Sequence, residues 1–298
     1  ATMIGAGLVL SEALDILTEQ QSNKTFRKAL EDIGHDIKSG LSLTMAFGKH
    51  PEIFLPIYVN LIKSGESSGK LDEILAKLAD NLEKEREFRA RVTGALIYPI
   101  VVIVMMVIVV FIMMIFVIPK LTSLYRDSSL ELPISTKILI AMSDFFVNFW
   151  WLIILIGVVG TLFFKRWIKT TEGALIYDTW ILRFPIVGNL TSSISLTNFN
   201  RNFGMLLAAG LPLLDAVNIV EGLVDNQVFK NALKSCYAGV ERGLSFSSQL
   251  NIFPVFPKIV GQMVKVGEET GKVDEIFLKL AEYFESKSDH LIKNLTVA

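Results

Sequence analysis

Residues 95–118 read ALIYPIVVIVMMVIVVFIMMIFVI, and none of these 24 residues is charged. A second uncharged stretch, 20 residues long, occupies 145–164 and reads FFVNFWWLIILIGVVGTLFF. An α-helix needs about 20 apolar residues to cross the hydrocarbon core of a bilayer, so both stretches are long enough to span it. The sequence therefore predicts a hairpin of two transmembrane helices in a lipid bilayer.

The rest of the chain has the composition of water-facing protein. All 29 basic and 30 acidic residues lie outside the two apolar stretches. The formal net charge of −1 provides no overall field that would attract nucleic acid, so no nucleic-acid partner is predicted.

The distribution of lysine and arginine predicts the orientation of the hairpin. Basic residues cluster just before the first stretch and just after the second, at Lys84, Arg86, Arg89, Arg91, Lys165, Arg166 and Lys169. The connection at 119–144 contains only three basic residues. Because cytoplasmic flanks are enriched in Lys and Arg, we expect both flanking regions in the cytoplasm and the connection outside it.

The chain contains a long internal repeat. AGLVLSEALDIL from Ala6 matches AGLPLLDAVNIV from Ala209 at an offset of 203, and GESSGKLDEI from Gly65 matches GEETGKVDEI from Gly267 at an offset of 202. The second pair has seven identities in ten positions. Solenoid repeats have units of about 20 to 50 residues, so an offset of this size indicates a duplicated domain.

Each copy of the repeat has the periodicity of helices. Apolar residues recur at helical spacing from Leu71 to Leu82 and again from Val273 to Phe284. The sequence predicts an all-α protein in which two homologous cytoplasmic helical bundles are joined by the transmembrane hairpin. The predicted segments are 1–94 for the first repeat domain, 95–118 and 145–164 for the spans, 119–144 for the external connection, and 165–298 for the second repeat domain.

The repeat also predicts sequence beyond both ends. The first copy lacks most of the counterpart of the helical run at 197–207, and the second copy stops where the first enters its span. We therefore expect an N-terminal truncation and a third transmembrane helix after residue 298.

The repeated G-E-x-x-G-K turn is the candidate functional site. Its residues are Gly65, Glu66, Gly69, Lys70, Gly267, Glu268, Gly271 and Lys272. A phosphate-binding loop requires four residues between its glycines and a hydroxyl residue after the lysine, and this turn has neither. The pattern predicts an interhelical turn whose exposed charges suit a protein partner, or a turn that is polar without binding anything.

No catalytic or metal-ligating constellation is apparent in the sequence. The single cysteine, Cys236, has no neighbouring base and is expected to be buried, and the three histidines are far apart. No catalytic, cofactor or metal site is predicted, and the protein is not expected to be an enzyme. The spans lack Asp, Glu, Lys, Arg and His, which disfavours a transporter. A membrane receptor or a small transporter with cytoplasmic helical domains remains the alternative.

Three repeated motifs give the chain a family resemblance. The AGL-x-L-x-x-A element at Ala6 and Ala209, the G-L-S segment at Gly40 and Gly243, and the duplicated G-E-x-x-G-K turn resemble the two domains of the type II secretion system F family. The resemblance implies a non-enzymatic platform protein of the bacterial inner membrane that serves type II secretion or type IV pilus assembly. It also implies several partners: a cytoplasmic assembly ATPase, the transmembrane helices of pilin or pseudopilin subunits, other inner-membrane machine components, and further copies of the same chain.

Overall fold

The structure is a computed structural model that describes residues 2–121, 134–185 and 187–297. Within these ranges all regular structure is helical, so the predicted all-α class is confirmed. The helices before the predicted connection are α1 (Thr2–Gly5), α2 (Leu10–Gln20), α3 (Lys24–Lys38), α4 (Leu43–Gly48), α5 (Pro56–Ser68) and α6 (Leu71–Ile112). Helix α7 (Ile134–Ile168) begins within the predicted connection at 119–144, and it is followed by α8 (Thr171–Arg183), α9 (Val187–Ala208), α10 (Leu213–Leu223), α11 (Gln227–Glu241), α12 (Phe246–Leu250), α13 (Lys258–Thr270) and α14 (Val273–Val297).

The backbone reproduces the repeat that the sequence predicts. Three glycines in each copy have positive φ angles, and they fall at equivalent positions of the two copies. The pairs are Gly7 with Gly210, Gly40 with Gly243, and Gly69 with Gly271. Because glycine enters the left-handed region without steric cost, each pair ends a helix at the same point of the repeat.

The chain forms two compact units. The first comprises Ala1–Arg91 and Asp178–Leu291, and the second comprises Val92–Tyr177 and Ile292–Ala298. Most of both copies of the repeat therefore lies in a single unit. The sequence predicted the two copies but did not predict that they pack against each other.

Beside a small cluster around Leu30 and Ile33 in the first copy, the first unit has a larger buried cluster that is rich in aromatic rings and draws on both copies. Phe203 stacks on Phe199 with ring centroids 5.6 Å apart and meets Phe277 edge-on at 4.6 Å. Ile57 of α5 and Ile74 of α6 belong to the same buried cluster. One apolar core therefore holds the two copies together.

The second unit contains the predicted spans. Residues 95–118 are helical throughout, with one π-helical turn at Met113–Val117, and most of their side chains are exposed. In the described part of the chain, the helix Leu71–Leu121 is long and apolar enough to cross a membrane, with a mean hydropathy of 3.6 in its most apolar window.

The second apolar stretch, 145–164, lies in α7, which is bent. Its parts Lys137–Leu152 and Leu155–Ile168 meet at 58°, and together they have the length and composition of a broken span or of a re-entrant segment. The bend lies near Phe149, whose φ of −119° departs from helical geometry. The hydroxyl of Ser143 donates to the carbonyl oxygen of Met114, so α7 contacts the π-helical turn. The middle of the predicted connection, residues 122–133, lies outside the described residues.

Cys236 is buried on α11, as the sequence predicts. Burial disfavours the charged thiolate and raises the pKa of the Cys236 thiol to about 12. Since the thiolate is the reactive form, we expect native protein to resist maleimide labelling at pH 8, and denatured protein to react fully. Rapid labelling of the native protein, followed by mass spectrometry, would contradict this burial.

Candidate functional site

The first signature turn closes the C-terminus of α5. Gly69 has φ +69°, in the left-handed region, and the backbone N–H of Lys70 donates to the carbonyl oxygen of Gly65 over 3.0 Å. This hydrogen bond satisfies a carbonyl that the end of the helix would leave free. The same geometry recurs in the second copy, with a φ of 72° and a distance of 3.0 Å, at Gly267, Gly271 and Lys272.

The first glycine of each turn allows two helices to approach closely. A Cβ atom at Gly65 would lie 3.2 Å from the Cβ of Ile74, and one at Gly267 would lie 3.1 Å from Cγ1 of Ile276. Both distances are shorter than ordinary carbon–carbon contacts. Glycine at these two positions therefore lets α5 pack closely on α6, and α13 on α14, without displacing the isoleucine side chains.

The glutamate of the first turn caps a helix elsewhere in the copy. The Glu66 carboxylate accepts from the backbone N–H groups of Leu43 and Thr44, at 2.5 and 3.0 Å, and from the Thr44 hydroxyl. The next N–H, of Met45, donates to the hydroxyl of Ser42 at 3.2 Å. Glu66 thus satisfies the free donors at the N-terminus of α4, where a negative charge is also stabilised by the helix dipole.

The second copy builds the same cap. Glu268 accepts from the backbone N–H groups of Phe246 and Ser247, at 2.7 and 3.3 Å, and from the Ser247 hydroxyl. Ser245, the residue before α12, makes no capping hydrogen bond with its side chain. The N-terminus of α12 therefore depends more heavily on its glutamate than the N-terminus of α4 does.

These contacts correct one expectation from the sequence. Glu66 and Glu268 were expected to be exposed charges, but both are partly buried and hydrogen-bonded within their own copy. In each copy, the glutamate of the G-E-x-x-G-K turn thus accepts hydrogen bonds from the two residues that directly follow the G-L-S segment. A contact between residues 22 positions apart, such as that from Thr44 to Glu66, cannot be read from helical periodicity.

The two lysines are the exposed charges of the signature. Lys70 lies 3.8 Å from Glu73 and Lys272 lies 3.1 Å from Glu275, each across one helical turn. All four side chains are more than half exposed, so these surface pairs contribute little to stability. The lysines are therefore available to a partner at each turn.

A charged network that the sequence analysis missed joins the two copies. Glu285 on α14 forms ion pairs with Arg91 on α6 and with Arg201 on α9. The Arg201 side chain is only 7% exposed and lies over the Phe88 ring at 5.8 Å. A sequence signal exists, because Arg201 is the only charged residue between Arg183 and Asp215. A lone charge within an otherwise uncharged, largely buried helix indicates a buried ion pair.

The described ranges contain no group of three or more His, Cys, Asp or Glu side chains placed to hold a metal ion.

The chain is similar to proteins of two related machines. A family model described as "Type II secretion system (T2SS), protein F" matches residues 1–119 and 199–297. The type IV pilus assembly protein PilC of Thermus thermophilus is 36% identical over 100% of this chain and 73% of its own length. PilC of Pseudomonas aeruginosa is 35% identical over 99% of this chain and 79% of its own length. The type II secretion system protein F of Xanthomonas campestris pv. campestris is 30% identical over 100% of this chain and 74% of its own length.

Proposed function

Because the chain belongs to the type II secretion system protein F family, we propose that it is the inner-membrane platform of a type IV pilus or type II secretion machine. In this proposal the platform couples a cytoplasmic assembly ATPase to the insertion of pilin or pseudopilin subunits into a growing filament. It acts as an oligomer, alongside other inner-membrane components.

The observation that carries this proposal is the position of the family match. It covers both copies of the repeat and the apolar helix that follows the first copy. A receptor or a transporter does not require this duplicated arrangement. We place both copies in the cytoplasm and residues 119–144 outside it, on the strength of the flanking basic residues.

Deletion of the gene tests the function directly. We expect the deletion strain to lose surface filaments or secreted substrate while its assembly ATPase remains soluble and active. Normal filaments and normal secretion in the deletion strain would contradict the proposal.

Helix α6 offers a route for coupling. It begins at Leu71, directly after Lys70, and continues to Ile112 as one helix of 42 residues. At 1.5 Å per residue such a helix is about 60 Å long. In this proposal, α6 is the element through which the ATPase acts on the apolar stretch, because the same helix begins at the first turn.

Charge reversal of the two signature lysines tests the ATPase contact. In the Lys70→Glu, Lys272→Glu double variant we expect about tenfold less co-purified ATPase, because the two positive charges of the proposed contact are replaced by negative ones. The free energy of unfolding should be unchanged, since both side chains are exposed.

A matched control reverses two exposed lysines away from the turns, Lys28 and Lys234. This control should retain ATPase binding. Unchanged binding in the Lys70, Lys272 variant would exclude the turns as the contact and leave the platform function untouched. Substitution of Glu66 or Glu268 cannot serve this purpose, because it removes a helix cap.

A further inference from the structure

The contact between the two copies uses one face of α5. Ile57, Asn60 and Ser64 lie on this face at positions i, i+3 and i+7. Ile57 is 2% exposed in the shared core, and the Ser64 hydroxyl donates to the carbonyl oxygen of Ala209, in the turn between α9 and α10. The first copy therefore presents an α5 face, and the second copy presents a turn that receives it.

The second copy carries the same face on α13, where it is exposed. The repeat places Ile259, Gln262 and Val266 at the positions of the three α5 residues. Ile259 is 37% exposed and Val266 is 52% exposed. Ile259 and Ile57 are the same residue type at equivalent positions, so their different burial reflects the presence or absence of a packed partner.

The receiving turn is also present twice. In the second copy it contains Ala209 and Leu211 around Gly210, and in the first copy the equivalent turn contains Ala6 and Leu8 around Gly7. The two glycines have φ angles of 83° and 87°, so the backbone has the same shape. Ala6 is exposed, and Val9 beside it is 62% exposed. Among the described residues, the α13 face and the α1–α2 turn are thus both exposed.

Charges at the two exposed surfaces are complementary. In the contact within the chain, Lys63 and Asp215 line the same cleft between α5 and α10. Their equivalents are Lys265 on α13 and Glu12 on α2, which keep the same signs and are exposed. A second chain bound in the same way would place these opposite charges along one cleft, as Lys63 and Asp215 are placed within the chain, which favours the matched register.

We propose that the α13 face of one protein binds the α1–α2 turn of a second copy of the same chain, in a head-to-tail contact. The proposal rests on the proposed function for its oligomeric platform, and it names the surfaces that form it. Such a contact joins two different surfaces, so successive protein molecules close into a ring or extend as an open array. The contact between the two copies within one chain serves as its template.

Disulfide crosslinking of the full chain in nanodiscs or native membranes tests the pairing. Ala6→Cys protein is mixed with Val266→Cys protein and oxidised. We expect a covalent dimer in the mixture and none in either variant alone, because the contact is head-to-tail. Native Cys236 is buried and does not interfere.

The chain supplies a geometric control for this crosslink. A Ser64→Cys, Ala209→Cys double variant places both cysteines at the contact within one chain, and we expect a bridge without a dimer. If this bridge forms while the mixture gives no dimer, the proposal is overturned. A dimer from Ala6→Cys alone or Val266→Cys alone would also overturn it, because that result requires a self-paired contact.

Charge reversal provides a second readout of the same contact. Glu12→Lys and Lys265→Glu should each weaken self-association about tenfold, and both changes in one chain should restore it. Lys234→Glu, an exposed reversal on α11, should have no effect. If the single reversals leave association unchanged, or the double variant fails to restore it, the pairing is wrong. Both assays omit the ATPase and the filament, so their outcome is separate from that of the proposed function.

Discussion

Replacing Phe203 with alanine is expected to lower the free energy of unfolding by about 3–5 kcal/mol. The Phe203 ring is fully buried and lies within 5.6 Å of the Phe199, Phe246 and Phe277 rings, measured between centroids. Truncation removes these contacts and leaves a cavity in the core that both copies share. The measurement is denaturant unfolding of the purified full chain in detergent.

Phe184→Ala is the matched control, because the Phe184 side chain belongs to the same unit but is 58% exposed. We expect a change within about 0.5 kcal/mol for this variant. Equal losses at Phe184 and Phe203 would contradict the position of the core.

Replacing Glu268 with alanine should lower the free energy of unfolding by about 3 kcal/mol, because two backbone donors at the start of α12 lose a charged acceptor. Glu268→Gln keeps a neutral acceptor oxygen and should cost less, about 1 kcal/mol. The same unfolding assay measures both variants. Hydrogen exchange should show faster exchange at the amides of Phe246 and Ser247.

The adjacent Glu269 provides the control for this prediction. Its side chain is exposed and lies 3.9 Å from Lys265, so Glu269→Ala should leave the free energy of unfolding nearly unchanged. If Glu268→Ala lowers the free energy of unfolding as little as Glu269→Ala does, the capping role assigned to Glu268 is wrong.

Local features of the fold could be predicted because they depend on neighbouring residues. Helical periodicity located the apolar stripe of α14, and the absence of charge located the stretch at 95–118. The turn glycines were predicted to end helices, and the positive φ values of Gly69 and Gly271 confirm this.

Contacts between distant residues could not be predicted in the same way. Ser64 and Ala209 are 145 positions apart, and neither residue type distinguishes a contact between copies from an ordinary helix surface. The cap by Glu66 could not be predicted from the sequence either, because an acidic residue near a helix end is most often solvated. The repeat alone therefore did not indicate that its two copies share one core.

The shared core has a consequence for the proposed mechanism. Ion pairs from Glu285 to Arg91 and Arg201 attach the first copy to the second at the point where α6 leaves the first unit. A force applied to either signature turn would therefore act on a single unit. In the proposed function, this single unit is what the assembly ATPase would act on.

Cysteine accessibility in living cells tests the central claim, that both copies lie together on the cytoplasmic side of one membrane. Asp32→Cys and Ser235→Cys each place a thiol on an exposed position of one copy, and Lys137→Cys places one near the start of α7, within the predicted connection at 119–144. With a membrane-impermeant maleimide, we expect labelling of Lys137→Cys in intact cells and labelling of the other two only after permeabilisation. Labelling of either Asp32→Cys or Ser235→Cys in intact cells would contradict the account.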